Sequence, residues 1–220
     1  MEIGSRVELT AAERERIRLA VHAAEQRTNA EIVPMIVARS GIYREARHRM
    51  GLALALVVLT VMLTIDSQWL PWGWHASNAA WLLLATLTAY GCGTWLGTLW
   101  PVIRLWTSAE RMRHKVRVRA ERAFSQHAIS QTRERTGVLI LLSILERQIY
   151  VLPDRSLAGL ASTDQWGQVV RAAVDRLTHG DIVSGLCQGI EQSGVLLADV
   201  CPGRPGDSPN ELPDTVIQEP

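Results

Sequence analysis

Two uncharged apolar stretches constrain this chain more than any other feature. Gly51–Ile65 carries no charged residue, and neither does Ala79–Ile103. The second alone exceeds the roughly 20 residues that a helix needs to cross a hydrocarbon core. The first reaches that length if it continues through Trp69-Leu70. Spans at about 50–70 and 79–103 joined by a short loop read as a transmembrane hairpin within a segment 43–106. The hairpin divides the polar sequence into two parts that must meet on one side of a membrane.

Charge gives the orientation. Arg44, Arg47 and Arg49 precede the hairpin, and Arg104, Arg111, Arg113, Lys115, Arg117, Arg119 and Arg122 follow it, while Asp66–Asn78 holds no Lys or Arg. The net charge of +1 hides this asymmetry. Basic flanks stay on the cytoplasmic side, so both termini are expected there and the loop outside. Trp69, Trp72 and Trp74 suit interfacial anchoring. Arg47, Arg49, Arg111, Lys115 and Arg119 suit anionic lipid headgroups, each contributing about 1 kcal/mol near an anionic surface. No aromatic platform accompanies these charges, so nucleic-acid binding is not expected. Residues 1–30 carry no apolar core of a signal peptide. Three cysteines, Cys92, Cys187 and Cys201, do not suggest a disulfide framework in a reducing compartment.

Gly93 and Gly97 stand four apart in the second stretch, a spacing that lets helices approach closely. Packing against the covalently attached first span is preferred to a face for a second copy, which leaves a homo-oligomer as the alternative. Pro101 is expected to kink the exit.

The flanking sequence has its own pattern. Thr10-Ala-Ala-Glu13 is a capping box opening a helix to about Arg27, with Ile17, Ala20, Val21 and Ala24 as its apolar stripe. Glu31–Ala38 reads as a strand, and Pro34 points to an edge position or a bulge. A basic helix from Thr107 to about Ser130 carries Met112, Val116, Ala120 and Ala123 on one side. Thr136–Ser143 reads as a strand buried on both faces, and Ile149–Leu152 as its hairpin partner. Helices follow over Asp164–Thr178 and after Asp181, where Gly185, Gly189 and Gly194 allow close packing. Residues 202–220, with Pro202, Pro205, Pro209 and Pro213, show no apolar period and are expected to be disordered.

A parallel arrangement of the 31–38 and 137–143 strands would gather Glu31, Glu134, Arg135, Asp154 and Arg155 at one sheet edge. Carboxylates there could hold a cation and arginines a phosphate; the plainer reading is a salt-bridge cluster. Glu31, Glu134 and Asp154 are the candidate catalytic residues, and Glu134 and Asp154 the candidate metal ligands. The histidines are dispersed, and no Walker loop, dinucleotide fingerprint or nucleophile elbow is present.

The order helix, strand, helix, apolar hairpin, helix, helix resembles a TPM domain. So do Leu9-Thr10, Thr28-Asn-Ala-Glu31-Ile-Val, Gly137-Val-Leu-Ile-Leu-Leu-Ser143 with Ile149-Tyr-Val, and Gly180-Asp181-Ile-x-x-Gly185-Leu. The resemblance covers most of 8–200, apart from the spans, and is to the bacterial branch with an inserted transmembrane hairpin. It implies an α/β fold, a small central sheet flanked by helices, with domain halves at 8–42 and 107–201. It also implies acid phosphatase or calcium-binding activity in some members. Those use acidic residues around an Asp-Asn-Gly and a Gly-Tyr-Gly, where this chain has Arg135-Thr136-Gly137 and Pro153-Asp154-Arg155. The expected role is therefore an interaction or assembly module on the cytoplasmic face of a bacterial inner membrane, with no cofactor. A diverged phosphatase or divalent-cation hydrolase is the alternative. The resemblance makes a LemA-type membrane protein the first candidate partner.

Overall fold

The structure is a computed structural model and describes residues 8–64, 76–178, 181–203 and 211–219. The chain divides into two compact units, Met1–Gly41 with Met112–Pro220, and Ile42–Arg111.

The first unit is an α/β assembly. Helix α1 (Ala11–Glu25) starts at the capping box: Thr10 Oγ1 accepts the Glu13 N–H, and the Glu13 carboxylate accepts the Thr10 N–H at 2.7 Å. Such a cap stabilises a helix by about 1 kcal/mol. Strand β1 (Glu31–Val37) runs parallel to β2 (Gly137–Ser143), with Glu31 opposite Gly137 and Val37 opposite Ser143. Strand β3 (Gln148–Pro153) returns antiparallel to β2. Among the described residues the sheet has four strands in the order β3-β2-β1-β4, and β4 (Ile217–Glu219) is parallel to β1.

Period-two geometry sorts the apolar strands into two cores. Ile32, Ile36, Val138, Ile140 and Leu142 face α1, α7 (Thr163–Thr178) and α8 (Ile182–Val200). Val33, Met35, Val37, Leu139 and Leu141 face α5 (Ala109–Gln126), through Val116, Ala120 and Ala123. Both faces are covered, which is why the strands read as continuous apolar runs. The three glycines of α8 allow its close approach. A Cβ on Gly194 would come within 2.7 Å of Ala24 Cβ, one on Gly185 within 2.8 Å of Leu177, and one on Gly189 within 3.3 Å of Ala173.

Two expectations change. Pro34 does not place β1 at the sheet edge, because β4 pairs with Met35–Val37. Pro34 lies just short of that pairing, so its missing N–H costs no ladder bond. Nor are residues 202–220 disordered throughout. Residues 211–219 cross the start of β1 and end in β4; three residues are too few to show an apolar period, and the contacts that fix them come from distant side chains.

In the second unit α2 (Arg44–Thr64) and α3 (Ala76–Leu96) pack along each other. A Cβ on Gly93 would lie 2.7 Å from Gly51 Cα, and one on Gly97 would lie 2.6 Å from Arg47 Cα. Residues 65–70 of the expected first span, and the loop with Trp69, Trp72 and Trp74, lie outside the described residues. The expected continuous span 79–103 is two helices: α3 ends at Leu96 and α4 covers Trp100–Trp106. Pro101 sits in the first turn of α4, where no N–H is needed, so the chain restarts a helix rather than kinking one.

Candidate functional site

Because β1 and β2 are parallel and β3 returns, the starts of β1 and β2 and the end of β3 share one side of the sheet. Glu31, Glu134 and Asp154 are gathered there, each with its own partners. Asp154 is buried at the end of β3 and caps the short helix α6 (Arg155–Ala158): its Oδ1 accepts the Arg155 N–H at 2.5 Å, and its own N–H donates to Gly137 O at 2.8 Å. Asp154 Oδ2 is buried with no hydrogen-bond partner. Glu134 accepts from Asn29 Nδ2 at 2.7 Å. Glu31 is buried, and its two oxygens accept the N–H groups of Glu211 at 3.4 Å and Leu212 at 3.3 Å. Desolvation raises the Glu31 carboxyl above its ordinary pKa; the two N–H donors pull it back, and Glu211 and Asp214 push it further up.

Among the described residues, the expected pairing of these carboxylates with Arg135 and Arg155 is not formed. Arg135 and Arg155 are exposed, and among the described residues they enter no ion pair. Arg135 adopts a left-handed backbone (φ 55°), and its carbonyl accepts the Ser156 hydroxyl. The carboxylates serve main-chain and amide N–H groups instead.

Calcium takes six to eight oxygen ligands. Asp154 Oδ2 offers one unused oxygen, but Glu134 and Glu31 are engaged elsewhere, and among the described residues no three His, Cys, Asp or Glu side chains could hold a metal ion together. The described residues at this edge do not assemble the ligand set of such a calcium site.

Glu25, Glu146 and Asp214 stand out only in the structure. Glu25 Oε1 accepts the Ile32 N–H at 2.8 Å, on the same side of β1 as β4 but ahead of the stretch that β4 pairs. Burial drives its pKa up to about 8, with Glu31 and Asp214 adding to the rise against the N–H donor. At the opposite end of the sheet buried Glu146 accepts the Ser40 N–H at 3.0 Å and the Ser143 hydroxyl, which itself accepts from Ser40 Oγ at 2.7 Å. This fastens the end of β1 to the β2–β3 turn. The spacing of these residues carries no motif, so only the folded topology could reveal them.

The basic flanks divide between the units. In the second, Arg47 is exposed, Arg49 donates to Trp106 O at 3.4 Å, and Arg111 pairs with Glu45. In the first, Lys115 lays its aliphatic stem against Gly41, and Arg119 pairs with Glu219, which also meets His127 Nε2 at 2.9 Å. Carboxylates thus pair with three arginines of the basic helix α5: Glu45 with Arg111, Glu219 with Arg119 and Glu121 with Arg117.

Residues 106–195 match the family model of the TPM domain. The NMR structure of BA42 protein from the psychrophilic bacterium Bizionia argentinensis is similar over 96% of this chain and 95% of that one, with a TM-score of 0.59 and 20% sequence identity. At that identity the likeness is one of fold. No curated protein matches the chain.

Proposed function

With the TPM-domain match over residues 106–195 as premise, we propose that this protein is a TPM-type α/β domain anchored in a bacterial inner membrane by the α2–α3 hairpin. It acts on the cytoplasmic side as an interaction or assembly module. The observation that carries this reading is the surface of the hairpin. Both helices are long and apolar enough to cross a membrane, and few of their residues are buried. Leu52, Leu56, Val57, Leu83, Leu87 and Trp95 are each more than half exposed. A core helix of a water-soluble protein would bury such residues; in hydrocarbon they need no cover. The helix contact through Gly51, Gly93 and Gly97 is the small-residue packing that suits a bilayer. Arg47 and Arg49 before the spans, with Arg111, Lys115 and Arg119 after them, favour the orientation with both termini inside.

At the sheet edge the carboxylates are occupied with holding the fold, which favours a binding role over hydrolysis. The alternative, a diverged phosphatase or divalent-cation hydrolase, draws on the unpartnered Oδ2 of Asp154.

The expected result is that the protein pellets with membranes through alkaline carbonate washing, and that a periplasm-active reporter fused after Pro220 is silent. Release by carbonate would overturn the anchor, and reporter activity would overturn the orientation. Crosslinking in native membranes should recover a second protein, with a LemA-type membrane protein the first to be sought; recovery of the monomer alone would count against the assembly role.

A further inference from the structure

We propose that the open side of β1, with Arg119 and His127, is a docking site for an acidic extended peptide, and that residues 211–219 fill it in cis. The proposal rests on the interaction-module reading and names the surface that would carry it.

The site is built from both ends. At one end the Glu211 carboxylate accepts the Arg133 N–H at 2.8 Å, and Glu31 receives the N–H groups of Glu211 and Leu212. At the other the Glu219 carboxylate is shared by Arg119 and His127. Between these ends Leu212 and Ile217 pack partly buried against the core of Val33, Met35 and Val37. Backbone pairing at 35–37 sets direction and register. An occupant is therefore read as a carboxylate next to an apolar residue, then a second apolar residue two positions before another carboxylate. Strand addition of this kind takes affinity from main-chain bonds and specificity from side-chain pockets.

The cis segment is gripped at its two terminal carboxylates but held more loosely through its main chain. Its bonds to Glu31 are 3.4 and 3.3 Å, and the Ala38 N–H reaches Glu219 O at 3.3 Å, all at or beyond the outer end of ordinary N–H···O geometry. Arg119 Nε is buried with no acceptor, so the guanidinium that grips Glu219 keeps a donor unused. The remainder of this side of β1 needs no strand, because Glu25 takes the Ile32 N–H and Pro34 has none. Leaving the site would unpair the short stretch that β4 covers, uncover Leu212 and Ile217, and take from Glu31 its two N–H donors. A partner strand whose acceptor reaches Arg119 Nε would make the bond that the cis segment does not.

The test is fluorescence anisotropy with a labelled, end-blocked peptide of residues 211–219, titrated into the full detergent-solubilised chain. An Ile217→Asp/Glu219→Lys variant, weakened in cis, should bind the peptide at least tenfold more tightly than the wild type. Arg119→Glu added to it should abolish that binding. Equal affinity for wild type and variant, or indifference to Arg119→Glu, would overturn the proposal. Glu219→Gln, a change too small to unfold the domain, gives an independent reading: the Ala38 amide should exchange faster with solvent, and unchanged protection would count against a displaceable segment. The peptide assay needs neither a membrane nor a partner. Its failure with carbonate-resistant anchoring intact removes the docking site alone, whereas peptide exchange without any crosslinked partner removes the assembly role.

Discussion

Glu25 shows how a single residue can matter without belonging to any motif. In the sequence it is one charge near the end of a helix; in the fold it is the acceptor for a β1 amide, held where burial favours the protonated form. Its folded pKa of about 8 lies above the ordinary 4.5. The folded state therefore keeps a proton that the unfolded chain releases, and stability falls as pH rises between those values. Glu25→Gln keeps an oxygen for the Ile32 N–H and removes the titration. At pH 9 the variant should melt about 4 °C or more above wild type, and at pH 4 the two should coincide; parallel melting curves across that range would show that Glu25 is not held protonated. The turns hid for a related reason. Ala128, Arg135 and Arg147 all adopt positive φ, a conformation normally flagged by Gly or Asn. No sequence rule would place it at an alanine and two arginines.

At the level of elements, the strongly periodic parts were legible. The capping box, the β2–β3 hairpin and the apolar stripe Met112, Val116, Ala120 and Ala123 of α5 all sit where their spacing places them. Elements defined by a partner rather than by their own pattern were not: β4 has three residues, and the break before α4 reflects where Pro101 can be tolerated. The α2–α3 contact makes a sharp prediction. Gly93→Leu would drive a side chain into the Gly51 backbone and force the helices apart, at a cost of about 1–3 kcal/mol. Gly91 is the control, since a Cβ there meets nothing within 4 Å. In detergent, Gly93→Leu should lower the melting temperature and Gly91→Leu should leave it unchanged. Equal effects would mean that the glycine contact is not what holds the hairpin.

Across the whole molecule, an inserted helical hairpin and a sheet-centred assembly form two compact units of one chain. The unit boundaries at Gly41 and Arg111 reflect packing; the expected boundaries at 42 and 107 followed composition. Function turns on how the sheet-edge carboxylates are used. If they hold the fold, the purified protein should not hydrolyse an aryl phosphate with or without calcium or magnesium, and Asp154→Ala should cost about 1 kcal/mol through loss of the α6 cap. Turnover that Asp154→Ala abolishes while stability stays unchanged would instead support the hydrolase alternative. The sequence by itself determined the apolar hairpin and the α/β pattern, because periodicity is a local property; the grouping of Glu31, Glu134 and Asp154 depended on the parallel pairing of β1 and β2. Only the tertiary structure decided what those carboxylates do and where 211–219 lies. A hydrogen-bond partner far away in the chain leaves no trace in local spacing, and burial, which sets the charge on Glu25 and Glu31, exists only once the layers have packed.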